Sequence, residues 1–552
     1  MKKFLAIVLA LVCVLSLCAC GGNGGSTGNG GSASGDKDYD VEGRVKLTIG
    51  IPSNAMVLDH ENNALTKWVE ETCNVDLTFQ EFAGGIDVAT QISTTIAARQ
   101  ELPDILFGFE LTDQLITRYG KDGYFVDLVD YFADKEDKAK IFWDRMQNEL
   151  SEYDQDLVLR TITDPDTGGI YAVPCVETSL VDRMNWQLWI NQEWLDTLNL
   201  KAPTNNDELI TVLKAFRDKD PNGNGIKDEI PLYGSQNAMG AHAIDWLINQ
   251  FIYYSARQYN VGKDGKLYPV FTTDEYREGL KFIKKLLDEK LLTSLVYSSS
   301  SAEMKTIVTP TSGTALCGIF LGHLTTCVSP GNDVLFQYVP LKNWGNVVRG
   351  DTTVSKSTHI TESCKNVDKA FEVLMTMWSW DGSMRIRYGE KGVNWDDPDE
   401  GAVSDMGLPA TYKLIRDPLN EQSTAKWARI SSTLNVYAEL ETAQVTTETE
   451  EYYAKRTAMA AAQYKLFAEQ EASYNDPSER CPLLTWTQEE KDRANVYVAN
   501  VLDYMVRARS SFCTGVLDPN KDSDWNAYLK ELDDLGLDVV NEYYQTAYDR
   551  GI

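Results

Sequence analysis

Strand-like and helical runs alternate from Val45 to Phe107, and that alternation limits the possible folds more than any other feature of the chain. Val45 to Ile51 alternates and then runs apolar, as a strand in a covered sheet does. Leu65, Trp68, Val69 and Cys73 fall at i, i+3, i+4 and i+8, on one face of a helix. Val75, Leu77 and Phe79 alternate with polar residues, Val88 to Arg99 reads as a helix, and Leu102 to Phe107 reads as a third strand. Strand–helix–strand–helix–strand predicts a parallel α/β sheet. Such sheets take ligands in the crevice beyond their strands' carboxyl ends, which points to Asn54–Met56 and Gly108–Glu110.

Residues 36–552 exceed what one core accommodates, so two or more units are expected. The second begins after Gly169-Ile170-Tyr171-Ala172-Val173-Pro174. Leu188 to Ile190 is strand-like and Asn191 to Leu198 helical. Thr204 with Asp207 three residues later predicts a capping box for a helix whose apolar face is Leu209, Val212, Leu213 and Phe216. Tyr276, Leu280, Ile283 and Leu287 mark another helix. From about Ala402 the chain reads as mostly helical, including Tyr452–Gln470 and Trp525–Asp549.

The N-terminus carries Lys2 and Lys3, then an apolar run from Phe4 to Leu17 that is too short to span a membrane. Leu17-Cys18-Ala19-Cys20 resembles a bacterial lipobox, with Cys18 departing from the usual small residue. That resemblance implies that residues 1–19 are a signal peptide and that Cys20, lipidated (palmitate-bearing), becomes the new N-terminus on the outer face of the cell membrane. A plain secreted protein is the alternative. Residues 20–35 are rich in Gly and Ser, a flexible tether spanning roughly 20 Å.

A net charge of −30 argues against nucleic acid, whose phosphates need Lys/Arg patches, and favours a neutral ligand. Beyond the leader and Cys20 the cysteines are Cys73, Cys175, Cys317, Cys327, Cys364, Cys481 and Cys513. Their odd number and the lack of a CxxC pair speak against a zinc site and for small buried hydrophobes.

The dense ligand cluster is Asp218 to Glu229. Calcium wants six to eight oxygens on a tightly turning loop, and Asp220, Asn222, Asn224, the Ile226 carbonyl, Asp228 and Glu229 offer them, with Gly225 permitting the bend. A second register starting at Asp218 matches the EF-hand spacing but puts Gly225 where an aliphatic residue belongs. Calcium here would be structural. Tryptophan is abundant in the middle of the chain, and flat rings suit the C–H faces of sugars. Trp189 and Trp194 sit on apolar faces and are assigned to packing; Trp186 and Trp395 lie in polar surroundings and suit a cleft. No HExxH, G-x-S-x-G, P-loop or G-x-G-x-x-G motif is present, so no catalytic residue is assigned.

The lipoprotein signal, Leu102-Pro103-Asp104-Ile105-Leu106, Gly169 to Pro174, Leu188-Trp189-Ile190-Asn191-Gln192-Glu193-Trp194-Leu195, the Asp220–Glu229 loop, Arg387 to Trp395 and the closing Trp525 to Arg550 resemble the extracellular solute-binding proteins of family 1. More narrowly, they are similar to lipoproteins of Firmicutes that serve carbohydrate ABC transporters. Asn191-Gln192 departs from the basic pair common there. The resemblance implies a two-lobe α/β fold of the periplasmic-binding-protein type (type II), each lobe a mixed sheet flanked by helices, with the ligand between them. Gly169–Pro174 and Tyr338–Leu341 would be the crossings. The first lobe would take 36–174 and 341–395, the second 175–340 and 396–552 with a helical C-terminal part. Cleft candidates are Asn54, Glu110, Glu177, Phe320 and His323, with Trp186, Trp246, Trp344 and Trp395 as stacking platforms. The implied function is capture of a neutral oligosaccharide by hinge closure and its delivery to permease subunits, by a monomer. A peptide-binding lipoprotein and, more remotely, a surface glycosidase are the rival readings.

Overall fold

The apolar faces near the start of the chain close into a sheet in the computed structural model, which describes residues 37, 40–83, 88–178, 186–329, 333–348, 350–404, 407–415, 422–427, 433–435, 443–445, 451–471 and 479–550. Cys20, the leader and the tether lie outside the described residues. Strand β1 (Val45–Pro52) pairs parallel with β2 (Val75–Phe82), in step from Val45 opposite Val75 to Pro52 opposite Phe82. Helix α1 (Ala64–Cys73) connects them; the Asn63 side chain accepts from the Leu65 N–H at 3.1 Å, and Asn74 ends the helix in the left-handed region at φ 53°. Strand β3 (Ile105–Phe107) adds to the other edge of β1. Helices α2 (Asp113–Lys121) and α3 (Glu152–Ile162) then lead to β4 (Val173–Glu177).

The chain next builds a second sheet from β5 (Leu188–Asn191), β6 (Ile230–Tyr233), β7 (Cys317–Leu321) and β8 (Tyr338–Pro340), in the order β8-β5-β7-β6. Helix α4 (Asn206–Asp218) buries Leu209, Val212, Leu213 and Phe216 in that core, with Trp189, Trp246 and Phe320. Strand β9 (Thr353–Ile360) returns to the first sheet and runs antiparallel between β3 and β4. Helices α5 (Val367–Trp378) and α6 (Trp380–Tyr388) follow, then β10 (Trp395–Asp396), β11 (Tyr412–Leu414), β12 (Leu434–Asn435) and β13 (Ala443–Val445). β12 joins β4 at the edge of the first sheet, while β10, β11 and β13 form a small sheet of their own. The last helices are α7 (Glu451–Glu471), α8 (Gln488–Thr514), α9 (Asp522–Asp534) and α10 (Leu537–Asp549). The final three bury Met505, Phe512, Trp525 and Val540 in the second core.

Two lobes with separate cores result, and their boundaries differ from the expected ones. Cys175 to Glu177 still belong to the first sheet. Tyr338–Pro340 is no crossing, because its backbone is hydrogen-bonded to β5. The passage back comes between Val348, in the second core, and Thr353. The first lobe also keeps the chain well beyond residue 395: Trp427 and Leu434 fill its core, and Tyr412 and Ala443 pack with Tyr388 and Trp395. The described part of 402–445 is not helical; strands of two or three residues carry no period to read. The helix expected from Thr204 starts one residue later. Asn205 caps it by accepting from Glu208 N–H at 2.9 Å, and the longer Glu208 reaches back to Thr204 N–H at 2.8 Å. All seven described cysteines are buried.

His359 sits next to the last residue of the returning strand, fully buried and stacked on Phe125 at 4.4 Å. Its Nδ1 lies 2.8 Å from the Tyr171 carbonyl, and burial pulls its pKa down from 6.5 to about 4. Between these values the unfolded chain takes up a proton that the native chain refuses, so stability falls as pH drops from 6.5 to 4. The loss is up to about 3 kcal/mol. Urea titrations across this window should show a steeper acid loss for the wild type than for His359→Gln.

Candidate functional site

A cavity of about 540 Å³ lies where the first lobe meets the segment leading into α8. From the first lobe it is lined by Glu110 and Asp113, which follow β3, by Thr117, Thr161 and Asp164, and by Val354 to Ser357 at the start of β9. From the second it is lined by Leu483 to Trp486 and Lys491. That size is in the range of small-molecule sites.

Most of its charges are already engaged. Lys356 pairs with Asp113 at 2.6 Å, Arg160 with Asp156 at 2.6 Å, and Asp164 accepts from the Thr117 hydroxyl. Glu110 is exposed, and its carboxylate has no side-chain partner among the described residues. Trp486 stacks one ring face on Tyr543, 4.9 Å between centroids and 5° from parallel, and its indole N–H donates to the Tyr543 carbonyl at 3.3 Å. The wall thus combines a flat ring braced from behind, a free carboxylate and several hydroxyls. Such a set receives a molecule with C–H faces and many hydroxyl donors.

Of the expected cleft residues, Glu110 lines this cavity. Asn54 closes its own turn, accepting from Met56 N–H at 2.9 Å. Glu177 is half-buried at the carboxyl end of β4, opposite Thr353. His323 is half-buried just after β7, and its N–H donates to the Met239 carbonyl at 3.2 Å. The tryptophans lie deeper than expected. Trp246 is fully buried and donates to Asn343 at 2.7 Å; Trp395 is 1 % exposed and donates to the Gly389 carbonyl at 3.0 Å. Both are packing residues, because core burial with a satisfied N–H leaves no face for a ligand. Trp186 belongs to the second core, and Trp344 packs edge-on against Trp246 at 5.4 Å while donating to Asn206. Phe320 is fully buried between Trp189 and Tyr338 and is likewise removed from the cleft. Trp486 was missed by sequence reasoning. Its signal is faint: a Trp two residues before the Gln488 helix start, in Cys481-Pro482-Leu483-Leu484-Thr485-Trp486.

The Asp220–Glu229 loop turns as tightly as a cation site requires, with Asp220, Gly223 and Gly225 at φ 48°, 67° and 75°. Asp220 accepts from Gly225 N–H at 3.0 Å, Asn222 from Asn224 N–H at 3.0 Å and Asn224 from Ile226 N–H at 2.7 Å. Asp228 accepts from the Asn224 amide at 3.0 Å. One oxygen each of Asp220 and Glu229 is buried without a hydrogen-bond partner. Burial first, then the neighbouring Asp220 and Asp228, raise the Glu229 pKa. Among the described residues no three His, Cys, Asp or Glu side chains meet closely enough to hold a metal alone. The donors that fit here are mixed, carboxylates with amide and backbone oxygens. The alternative register is disfavoured, because Arg217 holds both oxygens of Asp218 at 2.8 Å.

No family model matches the chain. It is 26% identical over 471 residues to the fructooligosaccharide ABC transporter substrate-binding protein FusA of Streptococcus pneumoniae serotype 4, covering 82% of this chain and 80% of FusA. It is 31% identical over 160 residues to the lipoprotein LipO of Bacillus subtilis, covering 28% of this chain and 30% of LipO. Among solved structures, FusA with kestose superposes with a TM-score of 0.66 at 20% identity, covering 92% of this chain and 99% of that one. An EF-hand mutant of FusA with fructo-nystose gives the same values. A human-milk-oligosaccharide-binding solute-binding protein of Bifidobacterium longum infantis reaches 0.71 at 20% identity, with the same coverage. The architecture is therefore that of the two-lobe solute-binding proteins.

The two kinds of tryptophan separate in denaturation. Trp246→Ala and Trp395→Ala should each cost about 3–5 kcal/mol of stability, since each leaves a cavity in a closed core. Trp486→Ala should cost clearly less.

Proposed function

We propose that this chain is the substrate-binding component of a carbohydrate ABC transporter, of the family 1 solute-binding type, and that it captures a neutral oligosaccharide between its lobes. The observation that carries this reading is the match to FusA, which runs through both lobes rather than along one of them. The cavity chemistry agrees with it. Trp486 offers a braced face to a sugar ring, Glu110 accepts hydroxyl hydrogen bonds, and Thr117, Thr161 and Ser355 complete a polar rim.

Capture follows from the two-lobe build. A ligand that touches both lobes gains its full contacts only when they close on it, so binding shifts the open–closed equilibrium by its differential affinity. Membrane permease subunits then take the sugar from the closed form. No described helix is long and apolar enough to cross a membrane, and attachment through a lipid on Cys20 to the outer face of the cell membrane is part of the proposal. The similarity to LipO supports that anchoring. The protein acts as a monomer and as a carrier rather than an enzyme.

Calcium belongs to the same proposal. Asp220, Asn222, Asn224, the Ile226 carbonyl, Asp228 and Glu229 would hold it, and the ion would satisfy the two partnerless carboxylate oxygens and lock the turn between α4 and β6. The EF-hand variant of FusA supports a calcium loop in this group.

Thermal unfolding of residues 36–552 against neutral oligosaccharides, acidic glycans and peptides tests the reading. A neutral oligosaccharide should raise the midpoint by mass action. Glu110→Ala and Trp486→Ala should each weaken its binding about tenfold or more by calorimetry. A shift with peptides alone would replace the sugar reading by a peptide one. Calcium should raise the midpoint of the wild type and leave that of Asp220→Asn/Asp228→Asn unmoved; an identical response in both would remove the site.

A further inference from the structure

The segment that carries Trp486 is tied to the opposite lobe at both of its ends. At its start, the Arg480 guanidinium pairs with Asp351, in the passage between the lobes, and lies 4.8 Å over the Tyr153 ring of α3. Tyr153 donates its hydroxyl to that same carboxylate at 2.9 Å, and Arg257 of the second lobe pairs with its other oxygen. The next residue, Thr352, donates to Asp154 of α3 at 2.7 Å in a buried contact. First-lobe and second-lobe groups thus meet on one carboxylate. At the segment's far end, the Gln488 backbone N–H donates to both oxygens of Asp166, at 3.2 and 3.1 Å. Asp166 lies in the first-lobe turn between α3 and β4 and is further held by Lys121 at 3.7 Å.

The second tie is chemically specific. Gln488 is the first residue of a 27-residue helix, whose own capping box, Thr487 with Glu490, already satisfies other terminal groups. A carboxylate supplied by the other lobe meets the positive end of the helix dipole there, an attraction confined to the first turn.

We infer that Asp166 and Asp351 are positioning residues for ligand capture, holding the Cys481–Thr487 segment, and with it Trp486, across the cavity from Glu110. The inference rests on the sugar-binding reading above. A cavity wall anchored at both ends loses little freedom when a ligand arrives, whereas a loose wall must be ordered at the ligand's expense. Affinity then depends on two carboxylates that touch no ligand.

The test compares wild type, Asp166→Ala, Asp166→Asn and Asp351→Asn, using the neutral oligosaccharide that shifts the wild-type midpoint. Asp166→Ala should weaken binding roughly three- to thirtyfold, mainly through faster dissociation. Asp166→Asn, which keeps an acceptor oxygen but not the charge, should fall between it and the wild type. Amide hydrogen exchange in 481–487 should speed up in ligand-free Asp166→Ala while its unfolding midpoint stays near that of the wild type. Wild-type affinity in Asp166→Ala and Asp351→Asn, or unchanged exchange in 481–487, would overturn the inference. If the wild type binds no oligosaccharide, the functional reading fails, and exchange in Asp166→Ala still decides the anchoring. Should Asp166→Ala not fold, Asp166→Asn carries both readouts.

Discussion

Everything distinctive about this molecule depends on one long-range pairing, the return of Thr353–Ile360 into the middle of the first sheet. Ile360, His359 and Thr358 lie opposite Ile105, Leu106 and Phe107 on one side, and Val354 and Ser355 lie opposite Val176 and Cys175 on the other. A strand with neighbours on both edges has its backbone groups satisfied, so it is held where an edge strand would be free to slip. Because that strand arrives from the second lobe, closing the first sheet also ties the lobes together. The buried His359 shows how enclosed the place is: its ring stays neutral against a Phe ring, with one nitrogen on a carbonyl.

From that closure follows the shape of the site. The start of β9 and the loop after β3 are brought to one wall of a cavity whose other wall comes from much further along the chain, at Leu483–Trp486. Charge is spread evenly there, although the whole chain is strongly acidic. Lys356, Arg160 and Lys491 sit among Glu110, Asp113 and Asp164, so these side chains balance one another in charge. The ion pairs lining it are partly exposed and add little stability by themselves. Their effect is to leave Glu110 without a competing partner.

Some of this was legible beforehand. The alternation in Val45–Phe107 is a strong local signal, since burial of one face imposes its own period, and the strands and helices fall where it puts them. The turn residues of Asp220–Glu229 likewise announced a tight oxygen-rich loop, which the left-handed Asp220, Gly223 and Gly225 bear out as geometry. The aromatic residues misled. Trp395 has polar neighbours in sequence, yet it finds a hydrogen-bond partner for its indole inside a core, and local polarity says nothing of that. The short strands after Ala402 escaped because two or three residues hold no periodicity.

By itself the sequence determined the longer elements, the α/β class and the chemical character of the acidic loop, because these rest on contacts between near neighbours: i to i+4 in a helix, alternate residues in a strand, successive side chains on one turn. Tertiary structure alone decided which lobe each stretch joins, which tryptophan keeps a face open, and which carboxylates reach across from one lobe to the other. Glu110 meets Trp486, and Asp166 meets Gln488, only through the packing of two separately closed cores. Such meetings depend on the summed geometry of every intervening element, and no short window of residues encodes that sum.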